Sequence, residues 1–239
     1  MDLTATTGRT TETKARLLSK LAPVYAVLLG AVVRLLYVLP GDFPLNDGGL
    51  FYLMTRELQR AHYRLPAYTS YNAAHIPFAY PPLGLYLAGF VADLARWPLL
   101  EVFRFLPFVF SILTLVAFYL LSRALAPARA EATLALFAFA LLPHSFFWEI
   151  MGGGVTRAPG LAFAILALWQ GHRLYTRRQI RYAWPTMVLA ACTVLSHPSL
   201  ALFLAYSLAL FALAYGRQRT GALHSLLVVG GTAALTAPW

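Results

Sequence analysis

Cysteine occurs once in the 239 residues, as Cys192, which excludes an internal disulfide and any cysteine-built metal cluster. Charge is almost as scarce. Asp, Glu, Lys and Arg together make up 12% of the chain, and only 9 residues are acidic. Soluble domains run at roughly a quarter charged and about 45–50% apolar, whereas this chain is 59% hydrophobic with a mean hydropathy of +0.64. An ordinary soluble domain is therefore excluded, and an integral membrane protein is implied. No internal repeat is visible, so a transporter built from paired halves finds no support in the pattern.

What the sequence does have is long apolar runs with basic ends. They cover Leu21–Leu39, Phe105–Ser122, Ala130–Trp148, Ala158–Tyr175, Tyr182–Ser196, Pro198–Tyr215 and Ala222–Pro238, seven candidate spans within or slightly short of the ~20 residues a helix needs to cross a bilayer. Lipid offers no partner to an unpaired backbone group, and the alternating pattern of barrel strands is missing, so the spans are expected to be helices. The first run exceeds the roughly 7–15 residues of a signal-peptide core and lacks a clear cleavage site after it; it reads as an uncleaved span. The expected fold is thus an all-α, polytopic transmembrane bundle of about seven spans, with residues 1–20 as a cytoplasmic segment and 21–239 as the membrane module.

The charges choose the orientation. With the N-terminus in the cytoplasm, the inner side collects Arg9, Lys14, Arg16, Lys20, Arg123, Arg129, Arg173, Arg177, Arg178, Arg181, Arg217 and Arg219 against Asp2, Glu12 and Glu131, a net of +9. The outer side holds seven arginines against Asp42, Asp47, Glu57, Asp93, Glu101 and Glu149, a net of +1. Cytoplasmic loops gather Lys and Arg, so this asymmetry favours an inward N-terminus, and in a prokaryote the plasma (inner) membrane. It also accounts for the formal charge of +10 without nucleic acid as a partner.

The longest polar interval, residues 40–98, then forms an outer loop. Leu50, Leu53, Met54, Leu58 and Ala61 recur at spacings of three and four, which predicts a helix over Asp47–Ala61 with one apolar face. Tyr80–Leu94 is apolar as well, but two prolines open it and a crossing there would invert every later loop. It is expected to lie in the interface or to dip in and return.

Three breaks in the apolar pattern bring candidate residues to this same side. Asp47, in Asn46-Asp47-Gly48-Gly49, stands just before the predicted helix; two readings are open for it, a helix N-cap and a reactive carboxylate that the paired glycines leave approachable. The stretch Ala140–Gly160 offers His144, Glu149 and Arg157 around a triple glycine; two readings are open, a flexible loop with snorkelling charges and, since an arginine by a helix start suits an anion such as phosphate, an anion site. His197 interrupts two spans in Leu195-Ser196-His197-Pro198-Ser199, where polar groups at a broken helix tend to line a cavity. Arg34, about one and a half turns from the end of the first span, could snorkel to the outer headgroups and is left unassigned.

Asp47 followed by Phe51-Tyr52, the Tyr80-Pro81-Pro82-Leu83 opening and Arg104-Phe105-Leu106-Pro107 together resemble the C-type (GT-C) fold of membrane glycosyltransferases. The likeness is to protein and lipid glycosyltransferases of the mannosyltransferase kind that use a polyprenyl-phosphate or dolichyl-phosphate sugar. As an arrangement it covers nearly the whole chain and corresponds to that family's N-terminal seven-span module. The resemblance implies inverting transfer of a sugar from a lipid-linked donor to an acceptor hydroxyl, whether of protein, lipid or glycan. It implies Asp47 as general base and Arg157 and His197 at the donor phosphate; Gly48 stands where relatives often carry a second acid directly after the loop Asp, leaving Asp47 alone, and Glu149 would stand in for the acid they often place at the start of a later outer segment. A divalent cation is the only cofactor it brings into consideration. The competing expectations are a transporter or channel using His144, Glu149 and His197, and a non-catalytic membrane module.

Overall fold

The structure, a computed structural model, describes residues 3–41, 47–151 and 154–239, with side chains described from residue 19 onward. Ten helices make up most of the described chain: α1 (Leu3–Val38), α2 (Gly48–Arg60), α3 (Leu83–Ala95), α4 (Leu99–Leu125), α5 (Arg129–Leu141), α6 (Phe147–Ile150), α7 (Gly154–Arg177), α8 (Ala183–Val194), α9 (Pro198–Tyr215) and α10 (Arg219–Thr236). The one departure from an all-α fold is a two-residue hairpin, in which β1 (Tyr68–Thr69) pairs antiparallel with β2 (Ile76–Pro77). It lies in the aromatic part of the 40–98 loop. The backbone of α1 runs without a break through residue 20.

Each of the seven predicted spans corresponds to a helix, but their lengths differ more than the apolar runs suggest. Among the described residues, three stretches are long and apolar enough to cross a membrane: Ser19–Val38, Leu99–Leu125 and Pro198–Tyr215. Helix α5 stops at Leu141 because Leu142 is extended and Pro143 opens a separate single turn, which cuts the expected Ala130–Trp148 run in two. With 13 residues in α5 and 12 in α8, at 1.5 Å per residue these helices reach only about 20 Å of a ~30 Å hydrocarbon layer. Helix α7 has 24 residues but little of the apolar character that lipid contact demands.

The reason lies in its place. Helix α7 runs through the middle of the bundle, and its faces of Gly154, Ala158, Gly160, Ala162, Ala164, Ala167 and Gly171 are buried. Ala164, Ile165, Ala167 and Leu168 pack with Ala117 and Leu121 of α4, Ala190 of α8 and Leu204 of α9. Where helices associate without a hydrophobic gain, small residues that let backbones approach closely provide the contact.

Contacts also fix the directions. Arg34 and Gly30 of α1 meet Ser111 and Leu115 of α4, Phe103 of α4 packs in one cluster with Val155 of α7, and Leu121 with Leu168. Gly171 faces Thr186 of α8 and Leu208 of α9, while Met187 of α8 touches Gly231 of α10. Helices α1, α4, α5, α7, α8, α9 and α10 therefore alternate in direction along the chain. One end of the bundle carries residues 38–41, 99–104, 141–151, 154–157 and 195–198; the other carries Lys20, Arg123, Arg129, the 173–182 segment, Arg217 and Arg219.

Helices α2 and α3 pack as a pair on the first of these ends. Phe51, Met54 and Leu58 of α2 and Leu85, Ala88 and Ala92 of α3 share a core with Val102, Phe103 and Val155. The buried stripe of α2 is Phe51-Met54-Thr55-Leu58, one residue round from the predicted face. Gln59 donates to Asp93 at 2.7 Å and Tyr63 donates to the same carboxylate, tying the two helices together. Phe90 and Leu94 remain exposed on α3, and Trp97 is exposed just past its left-handed end at Arg96. The Leu83 N–H donates to the Leu195 carbonyl at 2.9 Å, so α3 starts against the α8–α9 break.

The charge asymmetry and the alternation give one testable arrangement. With Cys192→Ala removing the native thiol, a cysteine at Gln179, exposed at the arginine-rich end, is expected to resist an impermeant thiol reagent in intact cells. One at Ala74, exposed beside the hairpin, is expected to react. Labelling at residue 179 with protection at 74 would invert the topology.

Candidate functional site

Arg34, to which the sequence assigns no role, is wholly buried and does not snorkel to the headgroups. Its Nε donates to Ser111 Oγ at 2.8 Å, and Nη1 donates to the carbonyls of Ala140 at 2.8 Å and Gly30 at 3.1 Å. Nη2 reaches Ser145 Oγ at 3.3 Å, and the guanidinium lies 4.4 Å from the Phe146 ring centroid. Ser145 in turn donates to the Phe139 carbonyl. This single side chain fastens the Pro143–Phe146 turn to α1, α4 and α5. A polar residue in a membrane span tends to face the bundle interior and pair there, a signal that was available in the sequence and outweighs snorkelling here because Ser111 and the end of α5 provide acceptors.

The turn so anchored carries Glu149 into the protein. Glu149 is 7% exposed and its Oε2 has no hydrogen-bond partner. Burial raises its pKa to about 8, against the opposing pull of Arg157 and then Arg34. A neutral carboxyl beside two guanidiniums leaves their positive charge uncompensated. Arg157, half-buried in the first turn of α7, donates to the Trp148 carbonyl at 3.4 Å and lies 5.6 Å from the Trp148 ring.

Tyr80 connects this group to the loop helices. Its hydroxyl accepts from Thr156 Oγ1 at 3.5 Å, its ring meets Phe51 at 4.6 Å, and it approaches the His197 ring edge-on at 6.2 Å. Burial raises the phenol's pKa; the Thr156 hydrogen bond and Arg157 oppose that, and Asp47 adds to it. Asp47 and Arg157 thus act on one phenol from opposite senses of charge. His197 is buried, its Nδ1 has no hydrogen-bond partner, and burial followed by the Arg157 charge pushes its pKa down to about 4. At neutral pH it offers a lone pair and an N–H rather than a positive charge.

Asp47 itself is exposed at the start of α2. Its backbone carbonyl accepts the Phe51 N–H at 3.0 Å, but its side chain makes no capping hydrogen bond. Of the two readings of this residue, the cap is not the arrangement found, and the carboxylate is left available. Asp42 and Asn46 lie outside the described residues, as do Gly152 and Gly153 of the triple glycine. His144 is exposed on its turn. Among the described residues no group of three His, Cys, Asp or Glu side chains could hold a metal ion.

Position at this end follows from close backbone approaches. A Cβ at Gly84 would collide with the Val155 carbonyl, and one at Gly160 would come within 3.3 Å of the Cβ atoms of Ser196 and His197. Arg104 donates to the carbonyls of Val38 and Leu39, closing the end of α1 where the loop to Asp47 departs. Next to Tyr80 and His197, an apolar cavity of about 270 Å³ is lined by Leu65, Pro82, Leu83, Tyr86, Leu195 and Leu235, among others. Tyr80, Thr156 and Arg34 were not singled out as site residues by sequence reasoning; a tyrosine in an aromatic-rich loop carries no mark of its own.

The chain matches no family model and no curated protein sequence.

The raised Glu149 pKa has a signed consequence. Its folded value, about 8, exceeds the ordinary 4.5, so the folded state binds the extra proton. The associated stability is full below about pH 4.5 and is lost as pH rises through 8. Glu149→Gln, which cannot ionise, is expected to match the parent's melting temperature in detergent near pH 5 and to exceed it at pH 9. The difference would be at most a few kcal/mol at about 1.4 per pKa unit. Equal pH dependence of the two proteins would contradict this.

Proposed function

We propose that this protein is a multi-pass membrane glycosyltransferase. It would take a sugar from a polyprenyl-phosphate donor and transfer it, with inversion, to an acceptor hydroxyl. The observation that carries the reading is that Tyr80, edge-on to the His197 ring, feels the opposite charges of Arg157 and of an uncapped Asp47 at one end of the bundle, beside a loop helix that exposes Phe90 and Leu94. The resemblance of the Asp47, Tyr80-Pro81-Pro82-Leu83 and Arg104-Phe105-Leu106-Pro107 motifs to GT-C enzymes supplies the reaction class. The seven alternating helices are read as seven crossings, with the N-terminus in the cytoplasm and the site at the outer face. For the shorter α5 and α8, local thinning of the bilayer or flanking residues would make up the length.

In this mechanism the acceptor oxygen attacks the anomeric carbon from the face opposite the phosphate. Its proton passes to Asp47, the new C–O bond forms, and the bond to the phosphate oxygen breaks with its electron pair going to the lipid phosphate. Arg157 would meet the negative charge that develops there, its own charge left free because Glu149 is protonated at neutral pH. His197 would donate one N–H to the same group. Glu149 supports the site as a neutral acid, and its burial suits it to hold Arg157 in place rather than to accept a proton. The prenyl chain would lie along α3 and the neighbouring apolar cavity. An interfacial site follows from the chemistry, since the leaving group stays in the bilayer.

A second reading, proton-coupled transport, draws on the buried and unpartnered Glu149 oxygen, a feature that suits a proton carrier.

The test is release of polyprenyl phosphate from polyprenyl-phosphate sugars by the purified full-length protein, with and without an acceptor. Asp47→Asn is expected to lower turnover by roughly 10²–10⁴-fold, the range of general-base catalysis, with an unchanged melting temperature because no cap is lost. Arg157→Ala should weaken donor use, and Arg157→Lys should restore it only in part because the planar fork is gone. Turnover of Asp47→Asn at the parental rate would refute the assignment. Proton flux into liposomes without lipid-phosphate release would favour transport.

A further inference from the structure

At the end of the bundle opposite Asp47, three arginines converge on one oxygen. The Tyr182 hydroxyl accepts from Arg173 Nη2 at 3.0 Å, Arg177 Nη1 at 3.1 Å and Arg181 Nη2 at 3.1 Å. Their guanidinium carbons lie 4.3, 5.9 and 5.0 Å from the Tyr182 ring centroid, and Arg173 also stacks 4.8 Å from Trp169. The ring is anchored in a small core with Leu174, Ala183, Met187 and Val228, so the hydroxyl is a fixed point on which the guanidiniums assemble.

Like charges gathered this closely repel, and no carboxylate compensates them. The one salt bridge among the described residues joins Arg104 to Glu101 at the other end, and no Asp or Glu lines either cavity beside the cluster. Those cavities, about 360 and 490 Å³, flank Arg173 and Arg177. Their walls contain buried polar atoms with no hydrogen-bond partner, Gln170 Oε1 in the first and His172 Nδ1 in the second. A guanidinium has five N–H donors, and the phenol takes one from each. The remaining donors are left beside cavities that hold no carboxylate. A solvated basic face of the kind found on any cytoplasmic loop has no need of an organising tyrosine or of stacking on Trp169.

We infer that Arg173, Arg177 and Arg181, held in register by Tyr182, form a binding site for a phosphoryl group, either a membrane lipid headgroup or a soluble phosphate. Planar, charged forks are the side chains best matched to phosphate oxygens. The site lies at the end of α7, where a headgroup would stand if the bundle spans a bilayer. The Tyr182 phenol is consistent with the arrangement: burial raises its pKa, and the hydrogen bonds from Arg177, Arg173 and Arg181 overcome this and bring it down to about 8.

The experiment measures retention of phosphatidic acid by the full-length protein in native mass spectrometry, from nanodiscs of phosphatidylcholine doped with phosphatidic acid. The parent is expected to hold one phosphatidic acid at least tenfold more tightly than Arg173→Gln/Arg177→Gln/Arg181→Gln. Arg129→Gln/Arg217→Gln/Arg219→Gln, which removes the same charge from the same end, should bind like the parent. Should the first triple variant fail to fold, the exposed single change Arg177→Gln is expected to weaken retention severalfold. Competition by millimolar inorganic phosphate would identify a soluble phosphate as the occupant, and its absence a lipid headgroup. Equal losses in both triple variants, or none in either, would overturn the site.

Discussion

Close backbone contact along α7 is the constraint on which the rest of the structure depends. A Cβ at Gly171 would meet Leu208 of α9, one at Gly160 would crowd Leu200 and His197, and the Val155 carbonyl leaves no room for a side chain at Gly84 of α3. Helices in lipid gain little from hiding apolar surface from one another, and packing at short range has to hold them. The same contacts set the geometry of the candidate site. Gly160 brings the α8–α9 break against the start of α7, Gly84 brings the loop helices against it from another direction, and Arg157 and Tyr80 are left facing the space between.

Arg34 adds the second constraint. A guanidinium inside a span is costly unless its donors are satisfied, and here Ser111, Ala140, Gly30 and Ser145 accept from it while Phe146 covers its face. Because these acceptors come from four separate parts of the chain, the residue acts as a joint. It holds the turn that delivers Glu149, and Glu149 in its neutral form leaves Arg157 as an unneutralised cation. Packing in the bundle thus reaches the electrostatics of the site through two named side chains.

Much of this was legible in the sequence because the bilayer imposes simple rules on composition. The predominance of apolar helices and the segregation of Arg123, Arg173–Arg181 and Arg217–Arg219 from Asp47 and Glu149 follow from hydropathy and charge. What was hidden depended on packing. The end of α5 is set by Leu142 and Pro143, inside a run that hydropathy treats as continuous. The buried face of α2 turns by one residue because Phe51 and Thr55 meet α3, where a count of leucines points elsewhere. The Arg34 network requires knowing that Ser111 and Ser145, distant in sequence, come to one place, and Asp47 looked like a cap by composition although its side chain makes no capping bond.

The central claim is that the first turn of α7, with Arg157, faces the phosphate of a lipid-linked sugar while Asp47 faces its anomeric carbon. The most direct measurement is a cryo-electron-microscopy map of the full-length protein in a nanodisc with a non-transferable polyprenyl-phosphate sugar. The account predicts phosphate density within hydrogen-bond reach of Arg157, the sugar between it and Asp47, and the prenyl chain running along α3. Density for the donor phosphate only at the Arg173–Arg181 end, or a sugar out of reach of Asp47, would contradict it.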